Sequence, residues 1–308
     1  MTSSRVEPAL TLRPDDAAAG ERTLAVEAPV AVEVDGLGYA VMMMTPADLD
    51  EFAVGFMLAE RLADTAADMT DIDAFEGEAG WILRVTLAAR CRGRIHDRVR
   101  HRTSDTSCGL CGVAGLEQLR RAVPGSPRRP CAKPDALFAA LSALRDHQPL
   151  NRATGAVHAA AACDAEGRIL ATYEDVGRHN ALDKLIGWLA LREAEGTALP
   201  GESRGPDATR SKDKAARSTS ATGVTGHRLS PGREEVDFIL VTSRLSFEMV
   251  DKALVAGVPM LVGVSAPTTL AVEHARAHGL TLVALARPDA MLVMCDPHVT
   301  YPSLQRSR

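Results

Sequence analysis

Several features that would settle the role of this chain quickly are missing from it. Its 308 residues include only six cysteines, at 91, 108, 111, 131, 163 and 295, which is too sparse for a secreted scaffold built on disulfides. The opening residues, MTSSRVEPALTLRPDDAAAG, contain no apolar core of a signal peptide. No apolar run reaches the roughly 18 residues of a membrane span, and the longest candidate, Ala253 to Pro267, is interrupted by Gly257, Pro259 and Gly263. The net charge of -5 and a pI of about 6.0 leave no global basic field for nucleic acid. Internal repeats are absent, as are a Walker A sequence and a GxGxxG following a strand, so neither a P-loop enzyme nor a usual dinucleotide fold is supported. These absences lead to an expectation of a soluble cytoplasmic protein with reduced thiols, no membrane span and no nucleic-acid partner. With 46% hydrophobic residues, the chain can build one large domain or two lobes sharing a core.

The pattern along the chain divides it. Residues 1–20 read as a flexible tail. An N-terminal α+β lobe over 21–134 follows, ending in the CxxC loop and a short helix, VAGLEQLRRA. Within it, PVAVEVDGLGYAVMMM reads as two strands around the turn Asp35-Gly36. A helix is expected from Thr45, with Pro46 in its first position and Asp48 three residues after the cap. Its apolar face comprises Leu49, Phe52, Ala53, Phe56 and Met57. WILRVTL is a further strand, and DALFAALSALRDH a second amphipathic helix.

Residues 135–308 read as an α/β cofactor-binding domain. The segment from Gly155 gives a strand, a turn at Asp164 to Gly167, a second strand, and a helix with Leu182, Leu185, Ile186 and Leu189 on one face. Residues 196–235 carry Ser, Thr, Gly, Pro and charge with almost no large apolar side chain, the composition of a disordered insertion. After them, apolar strands (DFILVT, VPMLVGV, LTLVALA) alternate with amphipathic helices, and AMLVMC can add an edge strand. Such alternation predicts a mostly parallel sheet covered on both faces.

In open parallel sheets, ligands bind beyond the carboxyl ends of the strands. That rule selects the loops Thr242-Ser243-Arg244, Ser265 to Thr268 and Arg287-Pro288-Asp289-Ala290. Helix N-termini, hydroxyls and two arginines suit a phosphorylated ligand there. Helix capping is the competing explanation for the hydroxyls.

The stretch TSCGLCG at 106–112 carries the other chemistry. Zinc needs four ligands and no second CxxC exists; Cys91, His96 and His101 match no common spacing. No HxE lies near the pair, so a deaminase-type zinc site is not supported. A thioredoxin-like pair would follow an apolar strand, whereas polar, basic residues precede this one. Sulfur carriage asks only for one accessible, partly ionised thiol, with glycines at 109 and 112 allowing close approach and a second thiol at i+3 within reach. Two thiols packed in a turn remain the plain alternative.

The blocks PVAV, VMMMTPADLDEFAVGFMLAE, SCGLCG, VHAAA, EDVGRHNALDKLIG, SRLSFEMVDKA and VSAPTTLAVE, in this order, resemble the formate dehydrogenase accessory sulfurtransferase family, often called FdhD. The resemblance covers nearly all of residues 28–300 apart from the insertion. It implies a cytidine-deaminase-like α/β sandwich, typically a homodimer, and a sulfur relay. A cysteine desulfurase would load a persulfide onto Cys108, with Cys111 as its partner. The sulfur would then pass to molybdenum bis(molybdopterin guanine dinucleotide), a bound substrate needed for formate dehydrogenase activity, and no permanently bound metal is expected. The alternative is a non-enzymatic molybdenum-cofactor chaperone with structural or redox-sensing cysteines. The family's cofactor segment falls on Leu285, Ala286, Arg287, Pro288, Asp289 and Ala290, alongside the edge residues Ser243, Arg244 and Ser265. Family members commonly carry Phe at the first of those six places and Gly-Arg at the last two. Here Leu285, Asp289 and Ala290 replace a ring and a positive charge and add a carboxylate.

Overall fold

The computed structural model describes residues 2–99, 127–197 and 235–301. Cys108, Cys111, the helix expected over VAGLEQLRRA and all but the ends of the 196–235 insertion lie outside the described residues.

The expected tail over residues 1–20 is instead most of a hairpin, β1 (Ser4–Arg13) and β2 (Asp16–Ala25), paired antiparallel from Ser4↔Ala25 to Arg13↔Asp16. Val6, Leu10 and Leu12 do alternate with the two-residue period of a strand. They stay more than half exposed, so pairing rather than burial defines the element. Arg22 Nη2 donates to Thr154 O at 2.9 Å and ties the hairpin to the body.

The next strands are β3 (Ala28–Val34) and β4 (Leu37–Met44), joined as expected through Asp35 and Gly36, both at positive φ (49° and 79°), the backbone of a tight hairpin turn. Together with β5 (Met69–Gly77) and β6 (Gly80–Leu87) they form a four-stranded sheet in the order β4-β3-β6-β5. The first helix, α1 (Leu49–Ala59), begins three residues later than the sequence suggests. Thr45 is not a cap: its N–H donates to Asp175 Oδ2 at 3.1 Å, and its Oγ1 accepts from Val176 N–H at 3.3 Å. A tertiary anchor has taken the groups a cap would use, and Asp48, at φ 52°, makes the final turn into the helix.

After α2 (Gly93–Val99), α3 (Pro134–Leu144) and the short α4 (Pro149–Thr154) come β7 (His158–Cys163), β8 (Ile169–Asp175) and the long α5 (Arg178–Thr197). The remaining elements alternate: β9 (Phe238–Val241), α6 (Phe247–Val255), β10 (Met260–Gly263), α7 (Thr269–Ala277), β11 (Thr281–Ala284) and β12 (Leu292–Cys295). The second sheet has the order β12-β11-β10-β9-β7-β8. Only β9, β10 and β11 run parallel; β7 is antiparallel to both β8 and β9, and β12 is antiparallel to β11. The sheet is therefore mixed, which corrects the expected mostly parallel one. Two short connections explain it: the Asp164 to Gly167 turn can only return the chain as a hairpin, and seven residues between β11 and β12 cannot carry a parallel crossover.

The strand faces sort by residue parity. Ile239 and Val241 face a large core with α1, α5, α6 and the inner side of the first sheet, while Phe238 and Leu240 face a smaller core with Ala136, Leu137, Ala140 and Leu144 of α3. Helices α1 and α5 cross at two glycines. A Cβ on Gly55 would sit 1.8 Å from Asp183 O, and one on Gly187 1.8 Å from Glu51 O, so the backbones touch where any side chain would hold them apart. Among the described residues, no helix is long and apolar enough to cross a membrane.

Candidate functional site

The loops after β9, β10 and β11 come together at one edge, knitted by main-chain hydrogen bonds. Leu245 N donates to Ala266 O (3.2 Å), Thr268 N to Leu245 O (3.0 Å), Leu285 N to Ser265 O (3.2 Å) and Ala286 N to Gly263 O (3.0 Å). This ladder extends the register of the three parallel strands beyond their ends and fixes the loops as one surface. Capping accounts for Thr268, whose Oγ1 accepts from Ala271 N at 3.3 Å. It does not account for Ser246, which donates its hydroxyl to Glu248 Oε2 at 2.8 Å.

The residues singled out at this edge are not equivalent. Arg244, Arg287, Pro288, Asp289 and Ala290 are exposed, and Ser265 is partly buried. Ser243 is buried and donates its hydroxyl to Arg244 O at 3.1 Å. Ala286 belongs to the smaller core. Leu285 takes a left-handed backbone (φ 50°), which turns the chain outward. Arg287 then closes a turn through its N–H to Ala290 O (2.9 Å), while its Nη1 donates to Val264 O at 2.6 Å. That second bond holds the guanidinium across the end of β10. The segment is a rigid exposed turn bearing one cation at Arg287 and one carboxylate at Asp289.

The antiparallel β7 and β8 extend the same edge. Thr242 N donates to Ala159 O (3.1 Å) and Ala159 N to Thr242 Oγ1 (2.9 Å), so the start of β7 lies beside the end of β9. His158, the first residue of β7, is paired with Asp175, the last of β8. Asp175 and Lys184 are both fully buried, with Lys184 Nζ 2.6 Å from Asp175 Oδ2 and 3.1 Å from Thr45 O. Asp175 also accepts from Gly177 N (2.8 Å), Asn180 Nδ2 (3.1 Å) and Thr45 N (3.1 Å). One carboxylate thus organises the start of α5 and the turn before α1.

At the start of α5, the family-resembling block offers His179, Asn180 and Asp183 as cofactor contacts, with capping and packing as the competing explanation; Arg178 is the residue that sequence reasoning passes over. Arg178 and His179 occupy the first turn of α5, which holds no acidic residue, although the helix dipole disfavours cations there. A basic first turn is the signal that would have singled out Arg178. His179 Nε2 lies 3.7 Å from Glu248 Oε2, too long for a hydrogen bond but close enough for a charge interaction. The neighbouring His179 ring, helped by Ser246 and opposed by burial, holds the Glu248 carboxyl down at about 2. His158 is also displaced below its ordinary value: burial, and then Arg178 and His179, push it down.

A cleft of about 170 Å³ opens at the base of the hairpin, lined by Thr45, Asp48, His147, Leu150, Thr172 and Glu174 among others. It holds two carboxyls, Asp48 and Glu174, both pushed up by burial, and Glu174 already accepts from Leu150 N and Asn151 N at 2.8 Å each. The described thiols divide clearly. Cys91, Cys163 and Cys295 are buried, and burial pushes each thiol above its ordinary value, which suppresses the thiolate needed for nucleophilic chemistry. Cys131 is exposed. Cys91 clusters with Asp64 and Asp68, but their carboxylates are gripped by Arg94 (2.7 and 2.8 Å) and Arg90 (2.7 and 2.9 Å).

The FdhD/NarQ family model matches residues 25–199 and 224–300, which take in the CxxC segment and every loop of the edge. A "Sulfur carrier protein FdhD" from Variovorax paradoxus is 38% identical over 274 residues, covering 89% of this chain and 85% of that one. Its counterpart in Bordetella parapertussis is 39% identical over 280 residues (89% and 86%), and that of Agrobacterium fabrum 38% over 279 (90% and 89%). A crystal structure from Desulfotalea psychrophila, of a protein assigned as a formate dehydrogenase accessory protein, superposes with a TM-score of 0.64. It is 22% identical, covering 96% of this chain and 99% of the other.

Proposed function

The chain belongs to the FdhD/NarQ family, and on that premise we propose that it is a sulfur carrier that accepts sulfur on Cys108 and delivers it to a nucleotide-bearing molybdenum cofactor. The observation that carries the reading is one chain holding both parts such a relay needs: a glycine-flanked thiol pair and a strand-end surface with exposed cations. Relatives 38–39% identical are named sulfur carrier proteins. Loading is a thiol exchange. The Cys108 thiolate attacks the outer sulfur of a cysteine desulfurase persulfide; that S–S bond breaks, the desulfurase leaves as a thiolate, and Cys108 holds the new S–S bond. In delivery, the Cys111 thiolate attacks Cys108 Sγ. The Cys108–Cys111 disulfide forms and the outer sulfur departs as hydrosulfide, its two electrons supplied by the thiol pair. An external dithiol reductant then restores both thiols.

The edge would hold the cofactor as substrate, with Arg244 and Arg287 facing its anionic groups and Ser265 within the same surface. Leu285, Asp289 and Ala290 are a poorer fit than the ring and second cation common in the family, so phosphate contacts must draw charge from elsewhere on the edge. Desulfurase and formate dehydrogenase as partners, a homodimeric state and a cytoplasmic location belong to the same proposal and rest on the family resemblance.

The test is intact-mass spectrometry after incubation with a cysteine desulfurase, pyridoxal phosphate and isotope-labelled cysteine. The wild type is expected to gain about 32 Da as a persulfide on Cys108. Cys108→Ser should gain none, and Cys111→Ser should load but fail to release hydrosulfide. An adduct that persists in Cys108→Ser refutes the assignment. A wild type that binds a guanine nucleotide yet never loads sulfur supports the cofactor-chaperone reading instead.

A further inference from the structure

Two apolar surfaces are left bare among the described residues, and both belong to sheets. The first is one face of the β1–β2 hairpin. Residues directly opposite each other in an antiparallel pair point to the same side. The pairings Val6↔Thr23, Pro8↔Glu21, Leu10↔Ala19 and Leu12↔Ala17 therefore make one face apolar, with a single charge at Glu21. The other face takes the remaining charges, where Arg5 pairs with Glu7 and Arg13 with Asp16. Every residue from Pro8 to Arg13 is exposed, Leu10 by 62% and Leu12 by 75%. Among the described residues, the hairpin's side chains hydrogen-bond to the body only through Arg22. A lone pair of strands is marginally stable in water, and ten residues of strand reach about 34 Å. The hairpin is an arm with an apolar side. The FdhD/NarQ match begins at residue 25, so this arm lies outside what the chain shares with that family model.

The second bare surface is the outer face of the first sheet. Val30, Val32, Val34, Leu83 and Val85 point inward to the large core. Alternate residues point out, and the register lines up Val41, Ala31, Ile82 and Phe75 in one row across β4, β3, β6 and β5. Met43 lies beside that row, opposite Pro29. Val41 is 69% exposed and Met43 51%. The row ends at an edge strand, β4 (LGYAVMMM), that has no charged residue, whereas the opposite edge, β5, carries Asp71, Asp73 and Glu76. Charge on an edge strand guards it against another chain, and β4 is unguarded.

We propose that the hairpin is an exchanged arm: in a pair of chains, the apolar face of each copy's β1–β2 docks on the Val41-to-Phe75 row of the other copy. A second copy is the occupant that supplies both surfaces, so one twofold arrangement fills two arms and two sheet faces at once. Strand length and spacing set a footprint of about 20 by 15 Å on each surface. The two contacts together then cover about 1,200 Å², the lower end of a standard interface. Each arm gains the second layer that a hairpin needs, and each row of apolar side chains leaves water. This arrangement needs nothing from sulfur carriage, and it gives the homodimer of the proposed function a defined interface.

Sedimentation velocity of the full chain over a concentration series tests it, using wild type, Leu10→Glu and Val41→Glu. Both positions are exposed in the single chain, so neither carboxylate disturbs its fold. Wild type is expected to be a dimer. Each variant places a carboxylate in both contacts, and its dimerisation Kd should weaken about a hundredfold or more. An equimolar mixture of the two variants separates arm exchange from other dimers. There the intact arm of Val41→Glu meets the intact sheet of Leu10→Glu, one native contact returns, and dimer should reform in part. A monomeric wild type overturns the inference, as does a dimer that neither substitution weakens. Loss of the dimer in only one variant, or no recovery in the mixture, also overturns it, because the arm then does not seat on the sheet. None of these outcomes bears on the persulfide mass expected at Cys108, so the sulfur-carrier reading stands or falls separately.

Discussion

Replacing Lys184 by Met tests the group on which the edge is built. The Lys184 ammonium and the Asp175 carboxylate are both 0% exposed and 2.6 Å apart. Two charges buried together need not stabilise a fold more than apolar residues of the same volume would, but removing one partner strands the other. In Lys184→Met, the Asp175 carboxylate keeps its contacts with Gly177 N, Asn180 Nδ2 and Thr45 N and loses its counter-charge. The expected cost is about 3–5 kcal/mol. In urea, with a slope near 3 kcal/mol per molar, the unfolding midpoint should fall by about 1 to 1.7 M. The double variant Asp175→Asn/Lys184→Met removes both charges, and should recover at least about 2 kcal/mol of the loss, because the two positions share one interaction. Equilibrium urea unfolding of wild type, Lys184→Met, Asp175→Asn and the double variant measures this directly. A Lys184→Met midpoint within experimental error of wild type would falsify the claim that Lys184 neutralises Asp175. Additive losses in the double variant would refute the coupling even if the single loss were as large as expected.

Two further outcomes follow from the packing and the titration of the same region. Gly187→Ala places a Cβ 1.8 Å from the Glu51 carbonyl oxygen, a backbone atom that no rotamer change can move; α1 and α5 must separate, at a cost of about 3 kcal/mol, read as a lowered Tm. The Glu248 carboxyl sits at about 2 in the fold against 4.5 when free. A depressed carboxyl contributes stability that is present in full above the free value and is lost as pH falls from 4.5 toward 2. His179→Gln should flatten the loss of unfolding free energy across that window, and an unchanged slope would show that His179 does not hold Glu248 down.

Much of the fold was legible because burial and period coincide. Ile239 and Val241 against Phe238 and Leu240 reproduce the two-residue alternation of a sheet covered on both faces, and Gly257 and Gly279, at positive φ, end α6 and α7 as expected. What failed were features set by partners distant in sequence. Thr45 looks like a helix cap until its hydrogen-bonding groups are found on Asp175 and Val176, some 130 residues on. Sheet direction was misjudged because apolar strands show that both faces are covered, not which way the neighbour runs. The hairpin β1–β2 was hidden by its exposure: Leu10 and Leu12 alternate correctly but bury little. At the edge, the strand pattern alone places Ser243, Ser265 and Arg287 on the loops after β9, β10 and β11, where the structure has them. Burial at Arg178 was not legible because a basic residue in sequence is ordinarily a solvated one, and only the structure reveals that its Nε is buried without an acceptor.

The segment proposed to hold the cofactor, 285–290, differs from the pattern that the family resemblance implies. Without an aromatic ring at Leu285 or a second cation at Ala290, and with a carboxylate at Asp289, the outer turn offers an anion one guanidinium and one like charge. Exposed charges of this kind contribute little, about 0.2–1 kcal/mol apiece, and salt weakens them. The charge changes at 289 and 290 therefore fall on an exposed turn where a single charge is worth little.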